Sequence, residues 1–340
     1  MIVATPTHKH KDIALEAMKT GKHVYCEAPL ANTIDDARAV AAAAKAAKQS
    51  VFQAGLQLRA DPQRHFLVPF IRSGAIGQSL LARAQYHKKQ SWRATSPKPE
   101  REKELNWRLS KETSIGLVGE VGGHALDQAA WFLNLQPTAV TGFGSVAFWK
   151  DGRDVPDTVQ VVLEFPGGVN LHYDATLANS FDADYQLFYG SDAAVMLRDT
   201  KAWLFKEVDS PLLGWEVYAS KETFYKETGI VLKAGASKSV PANAQQAQES
   251  PFANTPLFSA LQTFLRNAGD LSAAIEDAIS SFGAEDTENI GLQVAKIRTQ
   301  ARAAAGYVEG FQNAVTVIKA NEAILSGQRI VLKPEWYQLA

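Results

Sequence analysis

Two stretches of this chain hold side chains able to do chemistry at close quarters. The first is Glu120-Val121-Gly122-Gly123-His124-Ala125-Leu126-Asp127. Its paired glycines permit close backbone approach, and a helix is predicted to begin there. His124 and Asp127 are three residues apart, so they share one helical face and could point into one cleft. Histidine titrates near neutral pH, which suits it to accepting a hydroxyl proton as hydride leaves the same carbon. A neighbouring carboxylate, Asp127, could orient the imidazole and stabilise its charged form. Taken alone, His-x-x-Asp more often marks a surface pair or a satisfied helix contact.

The second is a pair of strand ends, Ala4-Thr5-Pro6-Thr7-His8-Lys9-His10 and Tyr25-Cys26-Glu27-Ala28-Pro29. Adjacent parallel strands bring such corners side by side, where open α/β sheets bind ligands. Singly, each corner also reads as a plain strand end. Trp92-Arg93 and Asn106-Trp107-Arg108 lie in a polar, loop-like region, where stacking on a sugar ring and simple packing are both open. His8 and His10 are close, but no established metal spacing ties a further ligand to them. No Gly-x-Ser-x-Gly elbow offers a serine nucleophile.

The elements that must hold these groups follow from the hydrophobic pattern. Strand, helix at about 10–20, strand at 23–27, helix capped by Thr33 with Asp36 three residues on, and strand at 51–55 give β-α-β-α-β. That order implies a parallel, doubly wound sheet over 1–57. A helix at about 62–73 follows. Strand-like runs at 79–88, 138–149, 157–165, 169–177, 184–190, 193–198 and 201–206 then arrive with turn signals such as Pro166-Gly167-Gly168 between several of them. They predict an α+β unit over 58–340 with a large open, mostly antiparallel sheet. The helix at about 122–133 falls at the junction. Residues 234–252 read as an exposed loop, helices are expected at about 256–268, 285–305 and 307–326, and a strand-like tail closes the chain.

Composition narrows the partners. The 340 residues are 46% hydrophobic and 21% charged, with 35 basic against 36 acidic side chains and a net charge of -1. No block of like charge favours nucleic acid or an anionic membrane surface. No apolar run is long enough to span a bilayer. A single cysteine, Cys26, rules out an intrachain disulfide and a thiolate metal cage, in keeping with a cytoplasmic protein.

Together these segments resemble the Gfo/Idh/MocA family of NAD(P)-dependent oxidoreductases over nearly the whole chain. The motifs are Ala4-Thr5-Pro6 with His10, Gly21-Lys22-His23-Val24-Tyr25-Cys26-Glu27-Ala28-Pro29-Leu30, and Gly55-Leu56-Gln57-Leu58-Arg59. Further on come Ser73-Gly74-Ala75-Ile76-Gly77, Gly122-Gly123-His124-Ala125-Leu126-Asp127 and Ile318-Lys319-Ala320-Asn321-Glu322-Ala323. The resemblance implies an N-terminal Rossmann domain, NAD or NADP as cofactor, a small carbohydrate or polyol substrate, and a homo-oligomer through the C-terminal sheet. Thr5, Pro6, His10, Glu27, Pro29 and Gln57 would line the cofactor's nicotinamide end. Arg59, Trp107 and Arg108 would touch substrate, and His124 would accept the proton with Asp127 orienting it. Glycoside cleavage through a transient ketone and a non-catalytic role are the alternatives within the family.

Two departures from the family pattern bear on this. Ala28 stands where the family's Glu-Lys-Pro motif has lysine. No Gly-x-Gly-x-x-Gly turn occurs in the chain, which begins at what looks like the fourth strand of the sheet, as an incomplete gene model or fragment would. Negligible affinity for the dinucleotide is therefore expected of the chain as it stands.

Overall fold

The computed structural model describes residues 1–224, 227–232 and 254–339; the loop expected over 234–252 lies outside them. Strands β1 (Ile2–Val3), β2 (Val24–Cys26) and β3 (Phe52–Ala54) form a parallel sheet in that order. Helices α1 (His10–Lys19) and α2 (Ile34–Ala46) connect them. Thr33 caps α2 by accepting from the Asp36 amide at 3.2 Å, worth about 1 kcal/mol. The Asp36 carboxylate takes Lys11 of α1 at 2.8 Å and ties the two helices together. Gly55, just past β3, has no substitute: a Cβ there would lie 2.5 Å from Oε2 of Glu27.

The rest of the chain builds a ten-stranded sheet. After α3 (Pro62–Arg72) come β4 (Ser79–His87), α4 (Pro99–Leu105), α5 (Gly116–Glu120) and α6 (Gly123–Leu133). Then follow β5 (Ala139–Ser145), β6 (Thr158–Glu164), β7 (Asn170–Thr176), β8 (Asp184–Gly190), β9 (Ala193–Arg198) and β10 (Lys201–Lys206). Strands β11 (Lys221–Phe224) and β12 (Glu227–Val231) precede α7 (Pro256–Phe282), α8 (Thr287–Thr299), α9 (Tyr307–Ser326) and β13 (Ile330–Val331). The order is β11-β12-β10-β9-β8-β4-β7-β6-β5-β13, antiparallel except where β4 pairs with β7. Positive φ at Gly167 and Gly168 turns β6 into β7, a conformation that costs glycine little.

Sequence pattern and structure agree on the hairpins and differ at the C-terminal end. Helix α7 runs to Phe282 rather than stopping near 268. Leu271 and Ala278 keep it going, buried against Ile290 and Val294 of α8. The closing strand shrinks to two residues, paired with Ala139 and Val140. Helices α4 and α5 and strands β11 and β12 were not anticipated. Residues of α7 also return to the small sheet. Gln53 donates to the Ala260 carbonyl at 2.9 Å, and the Tyr25 and Phe264 rings meet edge-on at 5.8 Å. Helix α9 packs on both sheets: a Cβ at Gly310 would meet Ala54 Cβ at 2.7 Å, and one at Gly142 of β5 would meet Ile324 Cγ1 at 2.7 Å. Among the described residues, no helix is long and apolar enough to cross a membrane.

Candidate active site

A cleft of about 510 Å³ opens between Gln57 and Leu58 past β3, the α5–α6 segment and one face of the large sheet, a size typical of small-molecule sites. His124 and Glu120 line one side, Gln57 and Leu58 another, and Tyr86, Tyr173 and Gln186 come from the large sheet. His124 sits in the first turn of α6, which packs against β4 and β7. Gly122 lets that turn lie against the sheet, since a Cβ there would come within 2.9 Å of the Tyr173 ring. Burial pushes the His124 imidazole down to about 4, so it is uncharged at physiological pH and has a lone pair free to accept a proton. Its Nδ1 is buried and meets no hydrogen-bonding group of the protein.

Glu120 is the site residue that sequence reasoning quoted but gave no role. Its side chain is nearly buried and receives hydrogen bonds from Thr7 Oγ1 at 3.2 Å and Ser114 Oγ at 3.2 Å. Burial pushes its carboxyl up to about 7, while Arg108, with Nε 3.9 Å away, and the two hydroxyls act to hold it down. The available signal was spacing: Glu120 lies four residues before His124. The helical path breaks between α5 and α6 at Val121, whose backbone is not helical, so helical periodicity could not settle where Glu120 faces.

The two strand corners do lie side by side. Val3 pairs with Cys26, and the Glu27 amide donates to the Val3 carbonyl at 2.9 Å. His10 fastens them from beneath, its Nε2 2.8 Å from the Thr5 carbonyl and its Nδ1 2.9 Å from that of Pro29. At 2% exposure, His10 supports the corners instead of lining a surface. Thr5, Pro6 and Glu27 reach solvent to differing degrees, whereas Pro29 is buried. Burial raises the Glu27 carboxyl pKa. Of the predicted cofactor residues, only Gln57 lines the cleft itself.

The expectation that Asp127 orients His124 is corrected. Both carboxylate oxygens of Asp127 are taken by Arg59, at 2.8 Å to Nε and 3.0 Å to Nη2. A planar guanidinium matches a carboxylate bidentately and outcompetes an uncharged imidazole for it. Arg59, expected to touch substrate, lines with Asp127 a pocket of about 280 Å³ beside α9, apart from the cleft that holds His124. Trp107 is buried, with the Arg108 guanidinium 4.5 Å above its ring, and Arg108 reaches towards Glu120.

The residues fit one end of a dinucleotide and not the other. At the corners, Pro6, Glu27 and Ala28 are half-buried; His8, two residues past Pro6, has an unpartnered Nδ1 and its ring lies 6.0 Å from that of Trp107, and His124 has a second unpartnered nitrogen at the cleft. That polar, partly open ledge suits a nicotinamide ring and its carboxamide. For the diphosphate, the first turns of α1 and α2 follow Thr7-His8-Lys9 and Thr33, and neither is glycine-rich. Among the described residues, no cluster of three His, Cys, Asp or Glu could hold a metal ion.

Comparison with known proteins agrees with this architecture. Residues 1–55 match a family model described as an oxidoreductase family with an NAD-binding Rossmann fold. Residues 68–196 match one described as the GFO/IDH/MocA C-terminal domain. Levoglucosan dehydrogenase of Pseudarthrobacter phenanthrenivorans is 29% identical over 195 residues, 51% of this chain and 48% of that protein. Inositol 2-dehydrogenase of Rubrobacter xylanophilus is 29% identical over 173 residues, 49% of this chain and 44% of that one. The chain spans about half the length of the curated relatives it matches. Among solved structures, an inositol dehydrogenase homolog from Azotobacter vinelandii complexed with NAD+ superposes with a TM-score of 0.68. That pair is 17% identical over 97% of this chain and 77% of the other, which is evidence of a shared fold.

Proposed function

The chain belongs to the Gfo/Idh/MocA oxidoreductase family, and on that premise we propose that it exchanges hydride between NAD or NADP and a carbinol carbon of a carbohydrate or polyol. The observation that carries the reading is His124: an imidazole kept uncharged by burial, in a cleft flanked by Gln57 and Glu120. Thr5, Pro6, Glu27, Pro29 and Gln57 would hold the nicotinamide end, with His10 fixing the corners. Bound NAD(P)+ would supply the hydride acceptor.

The chain's own residues account for the proton. His124 accepts it from the substrate hydroxyl as the carbon is oxidised. Glu120, with its carboxyl near 7, is partly protonated at neutral pH and can pass a proton on from the same cleft. Thr7 and Ser114 hold that carboxyl in place. The open face of the large sheet, where Tyr185, Leu187 and Tyr189 stay half-exposed along a groove of about 330 Å³, is proposed as the surface for a second copy of this chain.

Ala28 favours one rival, a non-catalytic family member, because nothing in its side chain can hold a substrate hydroxyl. The test is oxidation of levoglucosan and myo-inositol at millimolar NAD+ and NADP+, by the parent chain and by Ala28→Lys. Slow formation of reduced nicotinamide, faster in the variant, is expected, the millimolar cofactor offsetting the weak dinucleotide affinity of a chain without a glycine-rich turn. No turnover by either protein with either cofactor would overturn the reading in favour of the non-catalytic one.

A further inference from the structure

Four polar atoms in side chains that line the cleft have no partner in the protein: the Tyr173 hydroxyl, Gln186 Oε1, Arg64 Nε and His124 Nδ1. Sheet register explains why the first two fall together. Ala84 of β4 pairs with Tyr173 of β7 on one side and with Gln186 of β8 on the other. Cross-strand partners project from the same face, so the small Ala84 leaves a dip between two polar neighbours. Arg64 arrives from α3, where Asp61 takes its Nη1 at 2.9 Å and leaves Nε unused. Buried polar groups are almost always satisfied in folded proteins, so such a set invites a ligand that satisfies it.

The inventory of donors and acceptors narrows that ligand. Arg64 Nε–H only donates, Gln186 Oε1 only accepts, and the Tyr173 hydroxyl does either. A hydroxyl group answers all three. A carboxylate cannot answer Gln186, and an ammonium cannot answer Arg64. Charge points the same way: Asp61 offsets Arg64, while the carboxyl groups of Glu120, Asp184 and Asp199 line the cleft, so an anionic sugar meets repulsion there. We propose that Arg64, Tyr173 and Gln186 form a hydroxyl-reading subsite that selects an uncharged sugar or polyol over a sugar acid. The proposal rests on the hydride-transfer reading for the ligand's role as substrate; its binding is tested separately.

The experiment is calorimetric titration of the full chain with myo-inositol, levoglucosan and D-glucuronate, repeated on Tyr173→Phe and Gln186→Leu. At least one neutral probe should bind, with D-glucuronate about tenfold or more weaker. Each substitution should weaken the neutral probe by about five- to tenfold, the loss of one ligand hydrogen bond. Tyr173→Phe should leave the melting temperature unchanged or raised, because its hydroxyl has no protein partner to lose; a purely structural tyrosine would not combine that with weaker binding. Neutral-sugar binding that falls in both variants, without turnover in the parent, supports the subsite and counts against hydride transfer. Turnover of a neutral sugar whose affinity neither substitution changes overturns the subsite alone. So does D-glucuronate binding as tightly as the neutral probes, or no binding of either neutral probe.

Discussion

Thr7, in the turn between the first strand and α1, donates its hydroxyl proton to Glu120 across 3.2 Å of space and 113 residues of sequence. The bond joins the small parallel sheet to the segment that leads into His124. It places the strand corner, the acid and the imidazole within one structural unit.

His124→Gln should lower kcat by about a hundredfold or more, as removal of a general base does, and steady-state kinetics on levoglucosan or myo-inositol checks it. The same histidine makes stability depend on pH. Its folded value is about 4, below the ~6.5 of an unfolded chain, so between those values only the unfolded state binds the proton. Stability should therefore fall as pH drops from about 6.5 to about 4, by up to about 3 kcal/mol, and the His124→Gln variant should lack that component. Urea denaturation across this range reads it directly.

Glu120 gives the opposite sign. Its folded value of about 7 lies above the ~4.3 of an unfolded glutamate. As pH rises between these values, the unfolded chain loses the proton first, and stability declines. Glu120→Gln removes that penalty, so its melting temperature should gain on the parent's between about pH 5 and about pH 8. A difference that stays flat across this interval would count against a raised carboxyl pKa.

Arg59 and Asp127 should behave as a structural pair. Asp127→Ala leaves a mostly buried guanidinium without its counter-charge, which costs about 3–5 kcal/mol. Arg59→Ala strands the carboxylate in the same way. The double substitution should cost less than the sum of the two, because neither charge is then left alone. Chemical denaturation of the four proteins of the cycle tests this; strict additivity would show that the pair is not coupled.

Gln128 lies one helical turn beyond His124, with 0% exposure and neither amide atom partnered by the protein. Gln128→Met keeps the volume and removes an unsatisfied amide. A gain of about 1–2 kcal/mol in unfolding free energy is expected, and a loss of that size would point to a hidden partner.

The sequence disclosed the elements whose periodicity is local. The β6–β7 hairpin has its Gly167-Gly168 turn, and α9 matches its expected span from Tyr307 to Ser326. The side-by-side corners were legible from strand order alone. What escaped depends on contacts distant in sequence. Arg59 captures Asp127 from 68 residues away, and no spacing around His124 could show that. Glu120 becomes a site residue only when Thr7 and Ser114 close around it, and its burial is a property of the assembled layers. Helix α7 outran its expected end because α8 covers its second half, a tertiary effect that overrides local pattern.

Helix α9 bears on how a ligand gets in. Its twenty residues form a rod about 30 Å long that is wedged into both layers, with Gly310 pressed on Ala54 and Ile324 on Gly142. A jaw whose upper and lower halves are bolted to the same bar cannot swing wide. Admission and exit then fall to small movements of side chains at the mouth, and the enclosure exists before any guest arrives.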